Sequence, residues 1–173
     1  MKISALTAVM FFLFAAPFFA FDAGKPADRV PGYWKSVSDV KGEEGKITAY
    51  WKLSVDDSGV LEGEIVHCPG TSEDKVYSCD NKEFDGKKYV NTVWIRNMKK
   101  TSPGCWSGGT IVDVRDKQGN VYGCEMKLSG DGNILETRGF VGMSLFGRTQ
   151  LWQRSSEDEV EAAREKDKDK SSN

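Results

Sequence analysis

From Cys105 to Arg154 the chain reads CWSGGTIVDVRDKQGNVYGCEMKLSGDGNILETRGFVGMSLFGRTQLWQR. Four short runs of alternating apolar and polar residues are cut there by Gly, Asp and Asn clusters. Period-two alternation bounded by turn residues is the pattern of antiparallel strands that follow one another in sequence. The same pattern extends upstream. The reading gives eight strands: one around Gly32-Tyr33-Trp34, then Ile47–Leu53, Val60–Val66, Val90–Met98, Trp106–Arg115, Val121–Leu128, Ile134–Val141 and Arg148–Arg154. In the second, Ile47, Ala49, Trp51 and Leu53 share one face. In the sixth, Tyr122, Cys124, Met126 and Leu128 do. A long loop, His67–Lys88, separates the third strand from the fourth.

Eight consecutive short strands leave two exposed sheet edges, and closure on itself removes both. The fold class expected is therefore all-β, an eight-stranded up-and-down antiparallel barrel. A barrel of eight strands has an interior that side chains fill, or that holds one small ligand. Glycines inside strands, at Gly63, Gly108, Gly109, Gly123 and Gly139, suit the bends that closure needs.

The ends of the chain differ from this core. Met1–Ala20 has Lys2 as its one charge, followed by the apolar run Ile3–Phe14, and reads as a secretory signal peptide. The competing reading is an uncleaved anchor, since Ile3–Phe21 carries no charge and is just long enough to span a bilayer. Pro17 and the Ala15–Ala16 pair favour cleavage, which predicts a periplasmic or secreted protein with no membrane insertion afterwards. Residues 21–154 form the barrel domain. Residues 155–173 form a charge-dense tail, expected either as a frayed helix over Glu157–Lys166 or as disorder.

Without the leader and the tail, the core holds equal numbers of acids and bases. A neutral core has no long-range field to draw in nucleic acid, so no nucleic-acid partner is expected. Four cysteines, Cys68, Cys79, Cys105 and Cys124, follow the leader, and four cysteines allow three pairings. Export makes disulfides possible. A Cys68–Cys79 bridge is the expected one, because it would close the ends of the long loop. Placing the turn of the fifth and sixth strands at Lys117–Gln118 sets Cys124 opposite Ile111. Cys105 is then far out of reach, and Cys124 reads as a buried thiol.

Several landmarks resemble one bacterial family. They are Gly32-Tyr33-Trp34; Gly63-Glu64-Ile65-Val66; Trp106-Ser107-Gly108-Gly109 with Asp113; Gly119-Asn120-Val121-Tyr122-Gly123-Cys124; Arg138-Gly139-Phe140-Val141-Gly142; and Gly147-Arg148-Thr149-Gln150-Leu151-Trp152-Gln153-Arg154. The chain resembles the domain of unknown function 2147 family over nearly all of Pro31–Arg154. The resemblance implies a small exported protein with a lipocalin-like (calycin) barrel. The chain departs from the family pattern before the fourth strand, where a closely spaced cysteine pair is replaced by Cys79 alone. The lipocalin likeness also implies a structural closure in which Gly32-x-Trp34 on the first strand packs beneath Arg154 from the last.

Candidate cavity-lining residues for a ligand are Trp51, Trp94, Tyr122, Met126 and Arg138, with Trp106 and Trp152 beside them. For each aromatic residue the plainer reading is ordinary core. Arg138 points either inward toward a carboxylate or outward on the Glu136 face. His67 next to Cys68 lacks the paired spacing of a zinc site, so no metal is expected. No Gly-x-Ser-x-Gly elbow surrounds any serine, and nothing in the residues asks for a cofactor. The functional expectation is a non-enzymatic barrel that binds a small apolar or amphipathic ligand. The alternative is a ligand-free structural or protein-interaction module of the cell envelope.

Overall fold

The computed structural model describes residues 29–171, so the expected signal peptide lies outside the described residues. Eight strands follow in chain order: β1 Gly32–Val37, β2 Ile47–Val55, β3 Val60–His67, β4 Val93–Ser102, β5 Cys105–Val112, β6 Val121–Leu128, β7 Ile134–Phe140 and β8 Gly147–Arg154. Each pairs antiparallel with the next, and β8 returns to β1 to close the barrel. The closing seam is short, pairing Trp34 with Arg154 and Lys35 with Gln153. The up-and-down barrel read from the sequence is the fold.

Strand ends moved where side chains bond the backbone or φ turns positive. The fourth strand starts at Val93 rather than Val90, because Asn91 sits at φ 59 and breaks the extended run. The fifth ends at Val112, because the Asp113 carboxylate accepts from the Arg115 backbone N–H and begins the turn. The β5–β6 register also differs from the expected one. Ile111 faces Tyr122, and Cys124 faces Gly109. The hairpin centre therefore lies near Asp116–Lys117, and a bulge between Trp106 and Gly109 shifts the rest.

Sequential hairpins place the β2–β3, β4–β5 and β6–β7 turns at one end and the four other connections at the opposite end. Large side chains fill the first end: Trp34, Leu53, Leu61, Met98, Trp106, Met126, Leu128 and Leu135 are all buried. Trp34 donates its indole N–H to the Val30 carbonyl at 2.8 Å. The Arg154 guanidinium lies 3.8 Å over the Trp34 ring and donates to the carbonyl oxygens of Arg29, Pro31 and Gly132. One cation thus covers the plug and ties the entering chain to the β6–β7 turn.

The long loop between β3 and β4 is packed rather than loose. Tyr77 and Phe84 are buried against Trp94, whose indole N–H donates to the Tyr89 carbonyl at 2.8 Å. The Tyr77 and Tyr89 hydroxyls donate to the carbonyls of Asp116 and Val114, which stitches the loop to the β5–β6 turn.

All four cysteines are free thiols, which corrects the expected Cys68–Cys79 bridge. Both pack near Tyr89, but the fold gives each thiol another role. Cys79 Sγ donates to the Asn81 carbonyl and lies against Gly119, whereas Cys68 is buried at the end of β3 and lines the barrel interior.

The tail forms α1, Glu157–Ser171, which runs five residues past the expected helix end. The Ser156 hydroxyl accepts from the Glu159 backbone N–H, an N-cap, with three acids in the first turn and lysines in the last. The helix docks on the outer face of β1–β3. Val160 packs with Tyr50 and Val66, Glu159 pairs with Lys35 at 2.6 Å, and Arg164 donates to the Val66 carbonyl at 2.6 Å. Asp167 approaches the buried His67 ring at 3.3 Å and accepts from the Gly70 N–H.

Burial pushes the His67 pKa below its ordinary value; the Asp167 carboxylate pulls it up and Arg164 pushes it down. The folded state therefore takes up a proton less readily than the unfolded chain. Its contribution to stability is present above about pH 6.5, the ordinary histidine value, and is lost as pH falls through the lower folded value. Urea midpoints taken from pH 7.5 down to 5 are expected to decline, and His67→Gln should flatten that decline. An identical slope in the variant would remove His67 from the account.

Candidate functional site

Interior positions change character toward the end opposite the Trp34 plug. There the inward residues are Ser36, Thr48, Ala49, Thr137, Gly139 and Gln150, all small or polar. Because they cannot fill the cross-section, a cavity of about 630 Å³ remains. Trp51 and Trp152 lie stacked along it, with ring centroids 4.7 Å apart at 23°. Ile65, Ile111, Val112, Tyr122 and Phe140 complete the apolar walls.

The polar groups are few and mostly partnered. The Trp51 indole N–H donates to Ser36 Oγ at 3.2 Å, and Ser36 Oγ lies 2.8 Å from Thr48 Oγ1. Trp152 Nε1 donates to Gln150 Oε1 at 3.4 Å. Thr137, only 4 % exposed, is different: its hydroxyl has no hydrogen-bond partner. A buried hydroxyl without a partner costs free energy, about 1–3 kcal/mol, and is a ready donor or acceptor for a bound molecule.

Two ion pairs form part of the rim. Arg115 grips Asp113 through both nitrogens at 2.9 and 2.8 Å, and Arg148 grips Asp39. Burial works to raise the Asp113 pKa, but the hydrogen bonds from Arg115 outweigh it and hold it below the usual carboxylate value. The Arg148 hydrogen bond likewise holds Asp39 low. These two pairs are internally balanced, whereas Lys75, also on the lining, lies with its ammonium 4.7 Å from the centroid of the Tyr89 ring.

Of the residues proposed from sequence, Trp51, Tyr122 and Trp152 line this cavity, and Trp106 does not. Trp94, Met126 and Arg138 do not. Trp94 is fully buried beneath the long loop, and Met126 belongs to the packed end. Arg138 points outward beside Glu125, where it donates to the Ser144 and Leu145 carbonyls and the Thr149 hydroxyl. Ser36, Thr48, Thr137, Gln150, Arg115 and Arg148 went unnoticed in the sequence. Thr137 had a signal: it sits between Leu135 and Gly139 on the apolar face of a strand whose other face carries Glu136 and Arg138.

Thiol chemistry is disfavoured here. Cys68 lines the cavity, but burial pushes its pKa up to about 11, and Cys124 is pushed up to about 12. Both stay protonated at neutral pH and are poor nucleophiles. Among the described residues, no three His, Cys, Asp or Glu side chains gather as a metal ion would need.

The model of the family described as uncharacterized protein conserved in bacteria (DUF2147) matches residues 32–154. The chain belongs to the DUF2147 family. The match begins at the first residue of β1 and ends at the last of β8, so it spans the closed barrel and stops before α1. Among solved structures, the chain is similar to protein HP1028 from the human pathogen Helicobacter pylori, described as belonging to the lipocalin family. The TM-score is 0.64 at 16 % identity, with 78 % of this chain and 88 % of that chain covered. That likeness establishes a lipocalin-like fold for this DUF2147 member. No curated protein matches the sequence.

Proposed function

We propose that this DUF2147 protein is a non-enzymatic carrier, exported to the periplasm or beyond, that binds one small amphipathic molecule inside the barrel. The observation that carries the reading is the cavity floor. Two stacked indoles and the solitary Thr137 hydroxyl sit in a space of about 630 Å³, within the usual range for small-molecule sites. Such a lining forfeits dispersion contacts unless something occupies it. The apolar body of a ligand would lie on Trp51, Trp152, Ile65 and Ile111. A polar group would meet Thr137 at depth or the arginines at the rim.

The test is a titration of tryptophan fluorescence with fatty acids and aromatic probes, alongside Gly139→Leu. Gly139 lines the cavity, and an added Cβ there meets nothing closer than 3.6 Å, so the larger side chain has room to grow into the space. Binding is expected to quench or shift the emission and to raise Tm with ligand concentration. Gly139→Leu should weaken it at least tenfold without lowering Tm in the absence of ligand. A flat titration across all probes would sink the carrier reading and favour a ligand-free module of the envelope. Export is checked separately, by intact mass of protein from the envelope fraction. Retention of Met1–Ala20 would mean an anchor instead.

A further inference from the structure

The connection between β7 and β8 carries Val141, Met143, Leu145 and Phe146, which are 66, 66, 77 and 67 % exposed. Four large apolar side chains on one short turn are unusual for a surface otherwise edged with charge. The turn is also held in shape. The Val141 N–H donates to the Phe146 carbonyl, and the Phe146 N–H to that of Met143. Arg138 donates to the Ser144 and Leu145 carbonyls, and the Ser144 hydroxyl donates to Glu125 at 2.7 Å. The apolar tips are therefore presented by a held turn in which the carbonyls of Met143, Ser144, Leu145 and Phe146 all accept hydrogen bonds. That arrangement is what an apolar medium demands of a loop that enters it.

We propose that this turn docks the barrel mouth on the surface of a lipid bilayer. Val141 and Phe146 line the cavity as well as the turn, so the apolar surface runs without a break from the tips into the barrel. A molecule leaving the bilayer at this point would enter the cavity that holds Trp51 and Trp152 past Val141 and Phe146. The small extent argues against a protein partner. Four apolar side chains on one turn fall well short of the about 20–30 residues a side of a standard protein interface. Partition into a lipid interface needs no matching surface and gains with each apolar side chain submerged. The barrel wall stays out of the bilayer, because its outer face carries Lys52, Glu62, Glu64, Lys127 and Glu136. Arg115 and Arg148 at the rim are matched by Asp113 and Asp39, and Lys75 lies over the Tyr89 ring, so docking should not require anionic lipid.

The test is flotation of the chain from Phe21 onward with phosphatidylcholine vesicles, and with vesicles containing phosphatidylglycerol. It needs no cargo and so stands apart from the carrier reading. The protein is expected to float with both. Met143→Asp/Leu145→Asp should cut the floating fraction at least tenfold, and neither residue lines the cavity. Circular dichroism and the urea midpoint establish that the variant is folded; if it is not, Leu145→Ser serves in its place. Three outcomes would overturn docking. One is no flotation at millimolar lipid. Another is flotation that the folded variant retains. The third is a parent that self-associates in light scattering while the variant is monomeric, which would assign the turn to contacts between copies of this chain.

Discussion

Trp34→Ala is expected to lower the stability of the barrel by about 3–5 kcal/mol, the usual range for removing a fully enclosed large aromatic side chain. Trp34 has no exposed surface, and its ring is covered by Arg154 on one side and by the packed end of the barrel around it. The variant would also strand the Val30 carbonyl that now accepts the indole N–H. In a domain of this size the loss corresponds to roughly 8–15 °C in Tm. Arg154→Ala should cost less, because it removes stacking and hydrogen bonds but little enclosed volume. Arg154→Lys should not rescue it, since an ammonium is a point donor and cannot spread over three carbonyls while lying flat on a ring. Urea unfolding of the three variants and the Trp34/Arg154 double variant gives the coupling directly. A cost below about 1 kcal/mol for Trp34→Ala would mean that this end of the barrel is not closed by the indole.

The closure was legible in the sequence because it uses large, spaced landmarks at the two ends of the domain. Strand number and order were legible for a similar reason. Alternation such as Ala49-Tyr50-Trp51-Lys52-Leu53 fixes inside and outside, and the turns carry their own residue types. Tyr50 marks where that logic stopped: it lies on the outer face yet is buried, because α1 covers it. The helix itself gave little warning. Its apolar residues are few, and ion pairs and a backbone carbonyl hold it down as much as Val160 does. Polar docking of that kind depends on partners brought close by the fold, such as Lys35 and His67, and leaves no periodic trace in a sequence.

The cavity was half legible. Trp51, Tyr122 and Trp152 were found because aromatic residues on inward faces stand out. The space exists, however, because of what the other positions lack. Ala49, Thr137 and Gly139 are inconspicuous in sequence, and together they leave the interior open at one end. Met126 and Trp94 look like the same class of residue but fall at the packed end and beneath the long loop. Height along the barrel axis depends on stagger between strands, and the bulge at Trp106–Gly109 shifts it by an amount alternation alone does not reveal. The cysteines failed for a related reason. Loop ends that are near in sequence promise a bridge, but the loop is held by Tyr77, Phe84 and Tyr89, and both thiols stay free, with the Cys79 sulfur donating to the Asn81 carbonyl instead.

The bulge supplies the prediction with the largest expected effect, because two adjacent glycines there should respond very differently. A Cβ on Gly109 would fall on the Arg96 carbonyl oxygen and against the sulfur and backbone nitrogen of Met98. Two of those three atoms are main chain, so no rotamer change relieves the contact; β4 and β5 would have to separate. Gly109→Val should therefore cost about 4 kcal/mol or more, the range reserved for changes the core cannot absorb. Gly108 has φ +76, but an added Cβ meets nothing within 4 Å. Gly108→Ala pays only for a left-handed backbone, about 1–2 kcal/mol. Gly139→Ala is the control within the same barrel, with ordinary contacts at 3.6 and 3.7 Å, and should stay within about 1 kcal/mol of the parent. Urea midpoints and circular dichroism of the three single variants check this ranking. A folded Gly109→Val variant as stable as Gly139→Ala would mean that β4 and β5 do not approach each other as closely as the bulge places them.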